Sequence, residues 1–138
     1  MSIAARAWNI AVAALLVAAC GGNEITAPDP TPTSPVTVTY QQLMTAQGWT
    51  SRSFTVAEAG VVSLTLQSSE LPMGIGIGVT STGGSGCQTS VSVVTSAGDS
   101  PQLSASVDAG DYCLVVFDVS PAGSRTTQVP VTVVLVHP

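Results

Sequence analysis

The sequence predicts an all-β fold: an antiparallel β-sandwich, jelly-roll-like, of about eight strands, placed after a signal peptide and a Pro-rich linker. Three observations lead there. From residue 36 onward, apolar residues recur at every second position in one segment after another, which is the period of a half-buried strand. Clusters of Gly, Asp, Ser and Pro break those segments at short intervals, as turns do. Val, Thr, Ser and Gly dominate, lysine is absent and strong helix formers are sparse, a mixture that favours strands. Two packed antiparallel sheets are the natural way to bury many such strands.

The first element in the chain is not part of that domain. Arg6 supplies a short positive start, and Trp8 through Ala19 are apolar apart from Asn9. A run of about twelve residues is too short for a permanent membrane helix, which needs roughly twenty, so it reads as a cleavable signal. It ends in Leu15-Leu16-Val17-Ala18-Ala19-Cys20-Gly21. Small residues directly before a cysteine, at the end of such a run, resemble the lipobox of bacterial lipoproteins. The resemblance implies that residues 1–19 are a signal peptide and that Cys20 becomes the first mature residue. Its thiol then carries a diacylglycerol through a thioether. An ordinary secretory signal, which needs no cysteine, and a cysteine placed there by chance are the competing readings. One acyl chain holds a protein only marginally, whereas the two or three of a mature lipoprotein hold it stably. Gly21 and Gly22 stand where an aspartate would argue for inner-membrane retention, so the expected address is the outer membrane, on its periplasmic or surface side.

Residues 20–35 form the lipidated end and a tether. Gly21 to Pro35 reads GGNEITAPDPTPTSP, with prolines at Pro28, Pro30, Pro32 and Pro35 and no apolar periodicity. Such a segment is an extended, semi-rigid spacer of polyproline II character, rising ~3 Å per residue. Thr31, Thr33 and Ser34 lie between prolines, so a sugar-carrying or docking segment is the second reading.

The domain spans residues 36–138. Val36 to Tyr40 reads as the first strand, and 41–48 as a connection with room for one helical turn. Thr50 to Val56 alternates with Phe54 and Val56 inward. Ala57 to Gly60 is a turn, and Val62, Leu64 and Leu66 mark a clean half-buried strand. Ile75, Ile77 and Val79 alternate with Gly74, Gly76 and Gly78, and glycines along one face of a strand mark a bulge or the close approach of another group. Residues 82–86 are a flexible loop. Cys87 to Thr95 is a strand with Val91 and Val93 on one face, and Leu103 to Val107 is another. Asp108 to Asp111 is a tight turn into the most apolar strand, Tyr112 to Val119. Val129 to Val136 closes the chain, with Pro130 near its start, where a missing donor is tolerated.

Charge excludes some functions. Only Arg6, Arg52 and Arg125 are basic, against eight acidic residues. A surface so poor in cations cannot neutralise phosphates, so nucleic acid is not an expected partner. It is not drawn to acidic lipid either, which leaves attachment to the membrane to the lipid on Cys20 or to apolar surface.

Three cysteines are an odd number for an exported chain, and a lipid on Cys20 leaves Cys87 and Cys113 to pair. The compartment beyond the inner membrane permits disulfides. Closing a loop of about 26 residues contributes roughly 3–3.5 kcal/mol in the chain-entropy account. A metal at these thiols is the weaker alternative, because His137 is the lone imidazole.

Little in the chain points to catalysis. His137 is the penultimate residue, where chain ends fray. Gly74-Ile75-Gly76-Ile77-Gly78 lacks the third spacing and the following helix of a dinucleotide site. Asp108, Asp111 and Asp118 are the remaining candidates, for a Ca²⁺ site or a paired-carboxylate hydrolase. Aspartate is also simply a good turn residue. Trp49 and Tyr40 are candidate ligand-binding residues, a stacking platform for sugars if both are exposed. No cofactor is expected.

Two stretches carry a further resemblance. Ala109-Gly110-Asp111-Tyr112-Cys113-Leu114-Val115-Val116-Phe117-Asp118-Val119 and the closing run from Val129 to Pro138 resemble the bacterial pre-peptidase C-terminal (PPC-like) domains, as do Phe54-Thr55-Val56 and Gly60 to Leu66. The likeness covers roughly residues 47–138. It implies a β-sandwich that is itself non-catalytic and is usually appended to secreted enzymes; some members bind polymers or assist export. The expected function is therefore a non-enzymatic, lipid-anchored cell-envelope protein that displays a β-sandwich. Its role is either to bind a glycan, a peptide or an envelope protein, or to serve as a subunit of a surface assembly through its sheet edges. The rival is a small Asp-dependent or Ca-dependent secreted hydrolase.

Overall fold

The computed structural model describes residues 33–81 and 86–138. The signal segment, Cys20, most of the linker and most of the Gly83–Gly86 loop lie outside the described residues. Among the described residues there are eight strands: β1 (Val36–Met44), β2 (Trp49–Val56), β3 (Gly60–Ser68), β4 (Met73–Thr80), β5 (Cys87–Thr95), β6 (Leu103–Val107), β7 (Gly110–Asp118) and β8 (Val129–His137).

They form two four-stranded sheets, ordered β1-β8-β3-β6 and β2-β7-β4-β5. The pairs β1–β8, β2–β7, β3–β6 and β4–β5 are all antiparallel. The chain is thus one long hairpin, rolled so that successive pairs land on alternate sheets. That is the jelly-roll wrapping, and β3–β8 and β4–β7 ladders complete the sheets.

The core is aliphatic, as the scarcity of aromatics requires. Leu64, Leu66, Val133 and Leu135 of the first sheet face Met73, Ile75, Ile77 and Leu114 of the second, all buried. Each such side chain is worth about 1.5–3 kcal/mol in transfer from water. Phe54 and Tyr112 join the core at one end, with ring centroids 6.0 Å apart. The Tyr112 hydroxyl donates to the Asp108 carbonyl at 3.1 Å and braces the turn that enters β7.

The first strand is longer than its apolar residues suggest. β1 continues to Met44 because Tyr40, Gln42 and Met44 keep the inward alternation against Val133, Val131 and Val129. No helical turn follows. Residues 45–48 instead make a tight turn from the first sheet to the second. The Gly48 N–H donates to the Thr45 carbonyl at 2.9 Å, and Gln47 takes a φ of 55°. A left-handed third position belongs to a type II turn, which glycine or asparagine fills more readily.

The glycines of β4 have a clear structural reason. Ile75 and Ile77 point into the core, so Gly74, Gly76 and Gly78 face outward. Directly opposite them in the ladder stand Phe117, Val115 and Cys113 of β7. Those side chains lean across β4. A Cβ on Gly74 would overlap the Phe117 ring, and one on Gly76 would lie 2.8 Å from Val115 Cγ2. Val115 is 0% exposed although it faces away from the core, because the bare strand lets it lie down. At Gly78 the obstacle is backbone, the Gln88 carbonyl of β5. The register slips there: Ile77 pairs with Val91 and Gly78 with Thr89, which leaves Ser90 as a bulge. Beyond the bulge β5 bends over β4, and Cys87 bonds Cys113 on the far side, with Cα atoms 5.9 Å apart.

Candidate functional site

The outer face of the β2-β7-β4-β5 sheet holds a concavity. Alternation on β2 sends Phe54 and Val56 to the core and therefore Trp49, Ser51, Ser53 and Thr55 outward. Beside them on β7 lie Phe117, Val115, Cys113 and Asp111. The disulfide draws the start of β5 and the end of β4 over this surface. A groove of about 470 Å³ results, lined by Ser51, Ser53, Thr55, Thr80, Cys87 and Asp111 among others. One wall is the disulfide and the bent β5, and the other is the hydroxyl-bearing edge strand β2.

The groove is polar and acidic in character. Thr55 Oγ1 donates to Asp111 Oδ1 at 2.7 Å, across the β2–β7 ladder. Among the described residues the hydroxyls of Ser51 and Ser53 make no hydrogen bond to the protein, and the second Asp111 oxygen accepts none. Neither arginine of the domain reaches the groove. Arg52 lies on the opposite face of β2, and Arg125 is held by Asp118 at 2.7 Å. At the other end of the same face Trp49 is 54% exposed, paired across the ladder with Phe117. Val94, also 54% exposed, completes that row on β5, opposite Gly74.

The structure does not bring Tyr40 and Trp49 together. Tyr40 is on β1 and faces inward, packed against the core, while Trp49 faces out from the other sheet. A platform made of both is not formed: of the two rings, only that of Trp49 lies on an outer face. The physical reason is parity: Tyr40 shares the inward register of Val38 and Met44, whereas Trp49 stands one residue out of step with the inward Phe54 and Val56.

The three aspartates do not converge either. Asp108 is exposed in the turn before β7, and Asp111 lies at the start of that strand. Asp118 lies at its end, about 23 Å away at the rise of an extended chain. Among the described residues no three acidic, cysteine or histidine side chains gather as a metal-holding group. The three candidate carboxylates therefore do not share one Ca²⁺ site, and one of them is structural.

Asp118 is that structural group. Its carboxylate accepts from the Gln47 N–H at 2.9 Å, the Ser120 N–H at 3.0 Å and the Ser120 hydroxyl at 2.7 Å, besides Arg125. Its own N–H donates to the Gly48 carbonyl at 2.9 Å. Arg125 Nη2 also reaches the Met44 carbonyl at 3.4 Å. One buried ion pair thus ties the end of β1, the start of β2, the end of β7 and the loop before β8. Burial pushes the Asp118 carboxyl upward. The bonds from Ser120 and Gln47, with the Arg125 guanidinium, outweigh that and hold it below its ordinary value.

Cys87 and Cys113 are paired as the cysteine count suggested. His137 is buried at the end of β8, its ring 5.3 Å from that of Phe54, and its Nδ1 lies 2.8 Å from the Pro138 carbonyl. Sequence reasoning missed Ser51, Ser53 and Thr55 as a face, although their alternation with Phe54 held that information. It also missed the role of Arg125, one of only two basic residues in a domain with a buried aspartate to satisfy. Compared with known proteins, the chain matches no family model, no curated protein and no solved structure.

Proposed function

We propose that this protein is a non-enzymatic, lipid-anchored component of the bacterial cell envelope, and that it displays the jelly roll as a binding module. The observation that carries the anchor is the Cys87–Cys113 bond. It accounts for two of the three cysteines and leaves Cys20, directly after Val17-Ala18-Ala19, as the thiol available for lipid. The proline-rich residues 21–35 then serve as a spacer between bilayer and domain. The likeness to PPC-like domains points the same way, toward a non-catalytic sandwich that holds something near a surface. The outer face of the β2-β7-β4-β5 sheet is the binding face, because it joins an exposed tryptophan to a groove whose serine hydroxyls have no partner among the described residues. The hydrolase alternative needs two or more carboxylates around one point, and Asp118 is committed to Arg125 at the far end of β7.

The anchor is tested by expressing the full chain in a bacterial host fed labelled palmitate. The wild type is expected to take up label and to sediment with membranes, and Cys20→Ser to lose both. A Cys20→Ser variant that stays membrane-bound, or a wild type that takes up no label, overturns the anchor.

A further inference from the structure

The binding face carries enough chemistry to name the class of its ligand. The ligand class rests on the reading of that face as a binding face. We infer that it takes an uncharged polysaccharide, whose chain lies along β2 with one sugar stacked on Trp49 and others in the groove ending at Asp111.

Four features lead there. Trp49 offers a flat, 54% exposed apolar surface at one end. A large ring with two rotatable bonds loses little entropy on binding, and its face matches the C–H face of a sugar. Ser51 and Ser53 follow at two-residue steps on the same side, with hydroxyls that no described residue engages and that can donate or accept, as sugar hydroxyls require of a partner. Asp111 closes the groove with a carboxylate that accepts only, the strongest kind of acceptor for a sugar hydroxyl. From Trp49 to Thr55 the row runs about 20 Å at the rise of a strand, room for several sugars in line rather than one.

Charge selects among polymers. Among the described residues the groove has one carboxylate and no cation, and the domain as a whole is acidic. Uronic, sulfated or phosphate-bearing chains meet repulsion there with nothing to offset it. A neutral chain meets none. A cationic peptide would find Asp111 but would leave Ser51 and Ser53 with little to do. The floor of the groove is rigid, since Cys113 is bonded to Cys87 and Val115 is packed over Gly76. A preformed floor spares the ligand the cost of ordering the protein.

The test is affinity electrophoresis of the full chain in detergent micelles. The gels carry mixed-linkage β-glucan, xylan, galactomannan or alginate. At least one of the three neutral polymers is expected to retard the protein, and alginate is not. Trp49→Ala is expected to weaken that retention about tenfold or more, as loss of an anchoring aromatic does. Ser53→Val is expected to weaken it severalfold, and Leu43→Ala, on the outer face of the other sheet, to leave it unchanged. Two results overturn the ligand class: retention by alginate as strong as by any neutral polymer, or neutral-polymer retention that Trp49→Ala does not alter. A parallel arm measures binding of fluorescent octalysine. If octalysine binds, Trp49→Ala abolishes that binding and no neutral polymer retards the protein, the ligand class is overturned and the binding face stands. If no probe of either kind binds, both are overturned.

Discussion

Cys113 stands directly opposite Gly78 in the β7–β4 ladder, and it is bonded to Cys87 of β5, the strand on the other side of β4. A disulfide between strands that flank a third one needs the middle strand to be bare at the crossing. Gly78 lies beside the crossing, where the Gln88 carbonyl of β5 takes the place a Cβ would fill, and the bulge at Ser90 lets β5 come down to it. The same approach builds the wall of the groove. The glycine row, the disulfide and the candidate site are therefore one arrangement.

Gly78→Ala is expected to cost about 1–3 kcal/mol, the usual penalty for forcing a methyl into filled space. The new Cβ meets the Gln88 main chain, which cannot rotate away. Gly74→Ala differs, because its obstacle is the Phe117 ring, a side chain. Its cost is expected to shrink in a Phe117→Ala background. Urea midpoints of the two single variants and the Gly74→Ala/Phe117→Ala double variant check this. Equal costs of Gly74→Ala in both backgrounds would falsify the account of Phe117 as the group that fills the glycine's place.

Removing the disulfide by Cys87→Ala/Cys113→Ala is expected to lower stability by about 3.5 kcal/mol on the chain-entropy estimate for a 26-residue separation. The loss of the bond also frees β5 to move off β4. Gly78→Ala should then cost less in the disulfide-free chain than in the oxidised one. Denaturation of the four chains of that cycle measures the coupling, and strict additivity would separate the glycine from the disulfide.

The Asp118–Arg125 pair predicts an acid-sensitive corner. The Asp118 carboxyl is held below its ordinary value in the fold. As pH falls, the unfolded chain takes up that proton first, near pH 4. The stabilisation is therefore complete above that pH and is lost as pH drops through the folded value. Asp118→Asn should be less stable than wild type at pH 7, with the gap closing below about pH 4. Denaturation midpoints from pH 7 to pH 2 read this directly, and parallel curves would refute it. Asp118→Ala, which strands a buried guanidinium, is expected to cost about 3–5 kcal/mol, and Asp118→Leu/Arg125→Met to recover much of it.

The sandwich was legible because its signal is local. Val62-Ser63-Leu64-Thr65-Leu66 declares an inner and an outer face without any partner, and the turn at Asp108–Asp111 declares itself by composition. The bare row at Gly74, Gly76 and Gly78 was readable as a place of close approach, but what approaches is not. That needs the register of β7, which is set by pairing across the sheet. The end of β1 was hidden because Gln41 and Gln42 interrupt the apolar pattern while the backbone pairing with β8 continues. The separation of Tyr40 from Trp49 depends on a turn that changes sheets, and no local pattern reports which sheet a strand joins. The corner built by Gln47, Asp118 and Arg125 joins residues up to 78 apart in number, so composition alone could not assemble it.

Trp49 is the residue on which the proposed site most depends, and its placement can be checked without any ligand. It faces outward at the start of the edge strand β2, 54% exposed, with Phe117 as its cross-strand partner. A surface pair of this kind contributes about 0.2–1 kcal/mol. Trp49→Ser should therefore lower stability by less than about 1 kcal/mol. Leu64→Ala, which opens a cavity in the core, should cost about 2–5 kcal/mol. Side-by-side denaturation of these two variants gives the comparison. A Trp49→Ser loss above about 2 kcal/mol, in the range of core truncations, would mean that the ring is packed rather than presented. The acidic groove would then lack its aromatic end, and the case for a stacked sugar would fail with it.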